Sequence, residues 1–220
     1  MIWEQGSGLG HMTTMLPIAE QLHDRGHQLF IALKDFSSAL KVFDAAKFHL
    51  LPCPAFSGKS KNNGKASTFA QVMHNVGFGT SSVLEPLVNS WHTIFDLVKP
   101  QLVITDHSPV AMLAARTRGL KTIALGTGFT CPAACQQYPD WRPNEKNSLK
   151  QLLEDENQVL RNANSVLQHY GSPKLKTLSD LYRETGARLL ITYPELDPFQ
   201  DREQGDYCLL YTSPSPRDRG

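Results

Sequence analysis

The sequence predicts an α/β fold in which helices cover both faces of one parallel β-sheet. Short apolar runs alternate with segments whose apolar residues recur at helical spacing, along most of the 220 residues. A glycine-rich loop stands between the first apolar run and the first helical pattern, and the run LVITD is again followed by a helix start. A repeated strand–helix–strand order indicates a parallel sheet with right-handed crossovers.

The first part of the chain predicts three strands and two helices. Ile2 and Trp3 end the first strand, whose beginning we expect to be truncated because strands usually hold about five or six residues. The next helix begins after Thr14, the expected N-cap, because Pro17 is best tolerated in a first turn, and it ends at Gly26. A strand at residues 29–33, a helix at 38–46 and a strand at 48–51 follow.

The second part continues the alternation after a long loop, residues 52–66. A helix with an apolar stripe covers residues 84–98 and stops before Pro100. The strand at residues 102–105 leads through Asp106 to Ser108 and Pro109, a capping residue followed by proline, which together predict a helix that ends at Gly119. The remaining predicted elements are a strand at 122–125, helices at 149–169 and 176–184, and a strand at 188–192.

Composition excludes several classes of protein. Apolar residues make up 40% and charged residues 20%, as in ordinary globular chains. The sequence has 22 basic and 21 acidic residues, and this balance gives no electrostatic reason to expect a nucleic-acid partner. The sequence lacks an apolar run of ~18 to 20 residues and a secretory leader, and its four cysteines are too few for a disulfide framework. We therefore expect a cytoplasmic protein without a transmembrane segment.

The last thirteen residues depart from the regular pattern. The run CLLYTSPSPRD, residues 208–218, matches one reading frame of an adapter used to prepare sequencing libraries. We therefore expect a single native domain over residues 1–207 and a non-native tail over residues 208–220. A genuine disordered tail would have the same composition.

The glycine-rich loop carries the first candidate functional residues. Gly6, Gly8 and Gly10 permit a tight turn, and the following helix N-terminus offers free N–H groups to an anion. In the dinucleotide-binding fingerprint a third glycine would stand where this sequence has His11. The spacing alone leaves phosphate proximity and a purely structural turn equally open.

His11 and Asp106 form the second candidate group. Imidazole titrates near neutral pH and can act as a general base. Asp106 stands at the carboxyl end of a predicted strand, the edge where open α/β sheets bind ligands, and its carboxylate could orient the imidazole of His11. The alternatives are a structural histidine at the helix start and an aspartate that caps the helix near Ser108. His107, as the next residue, is expected to point elsewhere.

These motifs together resemble the N-terminal domain of GT-B glycosyltransferases that use nucleotide sugars. GSGLGH and HDRGHQ, the run LVITDHSPVAMLAARTRGLKTIALGTGF, and TYPELDPF occur in that domain's order and spacing, so the resemblance covers essentially residues 1–207. It implies a Rossmann-like parallel sheet, the N-terminal half of a GT-B architecture, whose C-terminal nucleotide-sugar domain this chain does not contain.

The resemblance also implies roles for individual residues. His11 would be the catalytic base of an inverting sugar transfer and Asp106 its support, while Gly6, Ser7, Gly8 and Gly10 would approach the donor phosphates. Contacts to a small-molecule or lipid acceptor would come from loop residues, namely Gly128, Phe129, Tyr138 and Trp141, although ordinary loop packing explains the aromatic residues as well. The family needs no metal and no cofactor beyond the nucleotide-diphospho sugar, its co-substrate. The fragment alone is expected to be inactive.

Three other interpretations stay open at this point. A dinucleotide-dependent oxidoreductase could use Gly6, Gly8 and Asp35, although the third glycine is missing. A non-catalytic sugar- or nucleotide-binding domain and an epimerase of the same architecture would carry the same motifs. Cys131 and Cys135, without a second pair nearby, make a poor zinc site.

Overall fold

A computed structural model describes residues 1–5, 9–58, 65–145, 147–199, 202 and 206–207. These residues form seven strands, namely β1 (Ile2–Trp3), β2 (Phe30–Leu33), β3 (His49–Pro52), β4 (Val103–Asp106), β5 (Thr122–Gly126), β6 (Ala187–Leu190) and β7 (Asp206–Tyr207). All neighbouring strands pair in parallel, in the order β3-β2-β1-β4-β5-β6-β7. This is a doubly wound, Rossmann-like sheet, so the predicted fold class is confirmed.

The helices lie on both faces of this sheet. They are α1 (Gly10–Asp24), α2 (Phe36–Ala39), α3 (Phe69–Met73), α4 (Ser81–Val98), α5 (Pro109–Thr117), α6 (Leu149–His169) and α7 (Asp180–Arg183), with a π-helical turn at His74–Phe78. Apolar residues of α1 pack with Trp3, Ile31 and Leu33 on one face. Residues of α3 to α6 pack with Ile2 and Val103 on the other. Because successive strand residues point to opposite faces, each of the strands β1 to β6 contributes to both cores.

Three helix predictions need correction. Helix α1 begins at Gly10, four residues before the expected cap Thr14, and it accommodates Pro17 inside; the hydroxyl of Thr13 bonds the Leu9 and Gly10 carbonyls of the first turn. The helix expected at residues 38–46 ends at Ala39, and the side chain of Asp44 then holds a turn by accepting a hydrogen bond from the Ala46 amide. The helix expected at residues 176–184 is the single turn of α7.

Several predicted element ends are confirmed. Gly26 follows the C-terminus of α1 with φ +86°, and Gly119 follows α5 with φ +62°, conformations that glycine adopts without strain. Pro109 is the first residue of α5, as its position after Ser108 predicts. The predicted tail, residues 208–220, lies outside the described residues. No helix in the described part of the chain is long and apolar enough to span a membrane.

Candidate active site

The register of the central strands brings the first candidate residues together. Trp3, the last residue of β1, pairs with Asp106, the last residue of β4. Helix α1 begins at Gly10 after its N-cap residue Leu9, so His11 stands in the first turn of the helix. Both residues therefore lie at the carboxyl edge of the sheet, although 95 positions separate them in sequence.

His11 and Asp106 form a direct hydrogen bond. The distance between His11 Nδ1 and Asp106 Oδ2 is 2.7 Å, and Asp106 is 2% exposed. Because a carboxylate only accepts hydrogen bonds, Nδ1 carries the proton and leaves the lone pair of Nε2 free. The side chain of His11 is 23% exposed, and its Nε2 has no hydrogen-bond partner among the described residues. The predicted side-chain contact is thus present, with one imidazole nitrogen held and the other available.

The surroundings of the pair restrict its movement. The indole of Trp3 stacks on the imidazole of His11 at a centroid distance of 5.5 Å. Burial raises the pKa of Asp106, and the hydrogen bond and charge of His11 oppose that rise. The second carboxylate oxygen, Oδ1, faces Gly126 at the end of β5; a Cβ atom at Gly126 would lie 3.2 Å from it. Because Thr130 and the Asp106 carboxylate both lie against Gly126, there is no room for a side chain at that position.

His107 lies near His11, contrary to the expectation that it points elsewhere. Its backbone has φ +45°, a left-handed conformation that is uncommon for a residue other than glycine. The imidazole rings of His11 and His107 are consequently 6.1 Å apart between centroids. Burial, together with the positive charges of His11 and Lys34, lowers the pKa of His107 to about 4. His107 is therefore neutral at pH 7.

The predicted phosphate-binding residues are described only in part. Gly6, Ser7 and Gly8 lie outside the described residues, so their approach to a donor stays a prediction. Gly10 is the first residue of α1, and no atom of the described residues lies within 4 Å of the position that a Cβ atom would take there. The N-cap residue, Leu9, offers no side-chain acceptor. Within the described part of the chain, no side chain caps the first N–H groups of α1, the groups to which an anion would bind.

The structure separates the four predicted acceptor residues into two pairs. Phe129 is 50% exposed, and its ring packs edge-on against the half-buried Trp141 at 5.4 Å. Tyr138 is 2% exposed and packs edge-on against Phe69, so its ring lies in the core and not on a surface that an acceptor could reach. Gly128 is buried as well, because Asp197 and Pro198 fill the space beside it. Phe129 and Trp141 remain the candidates for acceptor contact.

The residues of the other interpretations have structural tasks. Asp35 caps α2 by accepting a hydrogen bond from the Ser38 amide at 3.0 Å, and bonds from Ser38 and Ser37 lower its pKa to about 2. Burial raises the pKa of Cys131 to about 12 and that of Cys135 to about 11, which keeps both as thiols. Among the described residues, no group of three or more His, Cys, Asp or Glu side chains is placed to hold a metal ion.

Sequence reasoning missed two residues beside the pair. Glu4 follows β1, is 1% exposed and bonds the N-terminus of α5. Phe69, the first residue of α3, contacts the rings of His107 and Trp141, among others, at centroid distances of 6.5 and 6.3 Å. Phe69 thereby connects the ring of His107 to the Trp141–Phe129 pair. Thr68 caps α3 by accepting a hydrogen bond from the Gln71 amide, so a capping residue before the apolar start of FAQVM is the signal that could have predicted this helix.

Comparison with known proteins gives matches in structure only. No protein-family model and no curated protein matches the sequence. The spinosyn rhamnosyltransferase SpnG superposes with a TM-score of 0.55 and 14% identity, over 93% of this chain and 47% of that protein. The glycosyltransferase of kitacinnamycin superposes with a TM-score of 0.53 and 17% identity, over 86% of this chain and 44% of that protein.

These likenesses establish the fold. This chain spans less than half the length of the glycosyltransferases that it matches. SpnG has also been solved with thymidine diphosphate and with the spinosyn aglycone, at TM-scores of 0.53 and 0.50 to this chain. The residues described here thus have the Rossmann-like fold of one half of a GT-B glycosyltransferase.

Proposed function

We propose that this chain is the acceptor-side domain of an inverting glycosyltransferase, which transfers a sugar from a nucleotide-diphospho sugar to an acceptor hydroxyl. The observation that carries the proposal is the 2.7 Å hydrogen bond between His11 Nδ1 and the buried Asp106, with Nε2 left open at the carboxyl edge of the sheet. The glycosyltransferase fold and the binding of thymidine diphosphate and an aglycone by the similar protein SpnG support it.

The arrangement suits general-base catalysis. Nε2 of His11 takes the proton of the acceptor hydroxyl as that oxygen attacks the anomeric carbon of the donor. The bond from the anomeric carbon to the phosphate oxygen breaks, and the nucleoside diphosphate leaves with the electron pair. Attack from the face opposite the leaving group inverts the configuration. The Asp106 carboxylate accepts the hydrogen bond from Nδ1–H and stabilises the imidazolium that forms.

The remaining parts of the site have supporting roles in this proposal. The N-terminus of α1 and the preceding glycine loop approach the donor diphosphate, whose charge is favoured at a helix start. Phe129 and Trp141 offer an aromatic surface to the acceptor, which fits a small molecule with an apolar body. The mechanism assigns no step to a metal ion.

The test uses the longer protein to which this domain belongs, with nucleotide sugars as donors. His11→Ala removes the base, so we expect turnover to fall by ~10² to 10⁴. Asp106→Asn keeps the shape but disturbs the tautomer, so its loss is expected to be somewhat smaller. Because the two residues act as a unit, the double variant should be scarcely slower than His11→Ala alone.

A matched control comes from the same helix. His23 lies in the last turn of α1, and His23→Ala should leave turnover within about twofold because that side chain lies away from the pair. Near-normal turnover of His11→Ala would contradict the assignment and leave His11 as a structural residue. Donor binding without any turnover in the wild type would favour a non-catalytic binding domain instead.

A further inference from the structure

Glu4 is buried beside the turn that carries Asp106, and the proposed mechanism does not use it. It follows the last residue of β1 and is 1% exposed. Its side chain turns toward α5, where Oε2 accepts hydrogen bonds from the backbone N–H groups of Val110 at 3.2 Å and Ala111 at 3.3 Å. Glu4 therefore caps a helix that starts more than a hundred residues later in the chain.

The backbone of Glu4 holds the same turn at a second point. Its N–H donates to the hydroxyl oxygen of Ser108 at 2.9 Å. That hydroxyl in turn bonds the carbonyl oxygen of Asp106 at 2.8 Å. Ser108 occupies the N-cap position of α5, yet its side chain makes no capping bond to the helix. Glu4 therefore caps α5 in place of Ser108, and the Ser108 hydroxyl connects the ends of β1 and β4.

The turn between Asp106 and Ser108 needs such support. His107 at its centre has φ +45°, a left-handed conformation that is unfavourable for an L-residue and persists only where its surroundings impose it. Asp106 sits at the start of this turn, and its Oδ2 must stay within hydrogen-bond distance of His11. A change in the turn therefore moves the carboxylate relative to the imidazole.

We propose that Glu4 is a positioning residue for the His11–Asp106 pair: by capping α5 and bonding Ser108, it fixes the turn that presents Asp106 to His11. The groups facing Glu4 are Lys34 after β2, Cys53 after β3, the indole of Trp91 in α4 and the phenol of Tyr182 in α7. Of these, only Lys34 carries a charge of opposite sign, and burial outweighs it, so the pKa of Glu4 rises to about 8. A neutral carboxyl group at pH 7 still accepts both amide bonds through its carbonyl oxygen.

The test compares Glu4→Gln with Glu4→Ala in the 220-residue chain labelled with ¹⁵N histidine. Glutamine matches the neutral carboxyl group in shape and keeps one acceptor oxygen, whereas alanine leaves the α5 amides without a partner. In the wild type we expect the Nδ1 proton of His11 to give a downfield, slowly exchanging NMR signal at pH 7. This signal should persist in Glu4→Gln, and in Glu4→Ala it should be lost, as in Asp106→Asn.

Two further variants keep the test decisive. Val159→Ala truncates a buried side chain of α6 away from the pair, so it should lower stability and leave the His11 signal in place. If Glu4→Ala does not fold, Glu4→Asp, whose carboxyl group is one methylene too short to reach α5, should show the same loss. A His11 signal unchanged in folded Glu4→Ala or Glu4→Asp would overturn the proposal. Glu4 matters for catalysis only if the proposed function holds, but this measurement involves no turnover, so either can fail alone.

Discussion

Glu4 and His107 each follow the last residue of their strand, and burial shifts their pKa values in opposite directions. Burial raises the pKa of Glu4 from 4.5 to about 8, although the amide bonds from Ala111 and Val110 oppose the shift. Burial also lowers the pKa of His107 from 6.5 to about 4. The charged form is the one that burial disfavours, so both side chains are mainly neutral at pH 7.

The raised pKa of Glu4 predicts a specific dependence of stability on pH. Because the folded state binds the proton more tightly, the stabilising contribution of Glu4 is complete below about pH 4.5 and is lost as the pH rises to about 8. His107 and the Met1 amino group, whose pKa values are lowered, act in the opposite direction. Glutamine does not titrate, so Glu4→Gln should not lose stability in this way as the pH rises. Relative to the wild type, the free energy of unfolding of the variant should therefore increase by at least about 1 kcal/mol between pH 5 and pH 8.

Urea unfolding at pH 5, 6.5 and 8 measures this difference. Glu20→Gln, at an exposed carboxyl group of α1, serves as the control and should follow the wild-type curve. Parallel curves for Glu4→Gln and the wild type would show that Glu4 does not titrate in this range.

The candidate pair could be predicted from sequence, whereas its neighbours could not. His11 and Asp106 both follow apolar runs, and the carboxyl ends of parallel strands meet at one edge, so their proximity follows from the fold class. The direction of His107 depends on a left-handed backbone that its residue type does not indicate. In the sequence, Glu4 has the pattern of an exposed loop residue. Its burial could not be predicted, because it depends on the N-terminus of α5, which lies far away in the chain.

At the scale of elements, the loop after β5 is held by the segment that connects β6 and β7. Asp197 accepts hydrogen bonds from the Phe199 amide, the Tyr207 hydroxyl and Arg202, whose guanidinium also bonds the Cys131 carbonyl. Burial raises the pKa of Asp197, but these bonds more than offset it, so the pKa lies below its usual value. The TYPELDPF segment thus positions the loop that bears Phe129.

Gly128 has no room for a side chain in this arrangement. A Cβ atom there would lie 2.3 Å from Asp197 Oδ1 and 2.7 Å from Pro198 Cδ. We expect Gly128→Ala to destabilise the domain by about 1 to 3 kcal/mol, since the overlap displaces a buried ion pair. Gly10→Ala, at the open start of α1, should be neutral or stabilising by up to about 1 kcal/mol. Equal denaturation midpoints for the two variants would contradict this packing.

The ion pair itself gives a second prediction for this element. The side chains of Arg202 and Asp197 are 2% and 0% exposed, and the distance from Nε to Oδ2 is 2.7 Å. Arg202→Met should cost about 3 to 5 kcal/mol, because it removes the positive charge that lies against a buried carboxylate. Arg118→Met, which breaks the exposed pair with Asp96, should cost no more than about 1 kcal/mol. Chemical denaturation measures both, and similar losses would mean that the Asp197–Arg202 pair is solvated.

Element boundaries followed from sequence where local chemistry decides them. The Ser108–Pro109 start and the Gly26 and Gly119 ends depend on backbone rules for single residues. The start of α1 could not be predicted from local rules. Packing of Met12 and Met15 against β1 and β2 stabilises the earlier start and offsets the loss of the hydrogen bond that Pro17 removes. Short helices such as α3 depend on contacts from other segments, among them the ring contacts of Phe69.

At the scale of the whole molecule, the order of the strands places the candidate site at the centre of the sheet. Strand β1 lies between β2 and β4. The chain passes from β1 to β2 and β3 on one side and then crosses to β4 on the other, so the strand order reverses at the carboxyl ends of β1 and β4, the position where open α/β sheets bind ligands. His11, Asp106 and the N-terminus of α1 surround this point. A donor bound there would contact this domain through the N-terminus of α1 and the loop before it.

This geometry predicts weak donor binding by the 220-residue chain alone. The match covers less than half of each glycosyltransferase, and in our proposal the other half supplies most donor contacts. One helix N-terminus contributes about 0.3 to 1 kcal/mol toward an anion at an exposed site, far less than the ~8 kcal/mol that micromolar affinity requires. Calorimetry of the chain with thymidine or uridine diphosphate sugars should therefore show dissociation constants of about 1 mM or weaker, and no hydrolysis or transfer. Micromolar binding to this chain, lost on replacement of Lys34 or Asp35 near the end of β2, would instead place the nucleotide site in this domain and favour the dinucleotide-type interpretation.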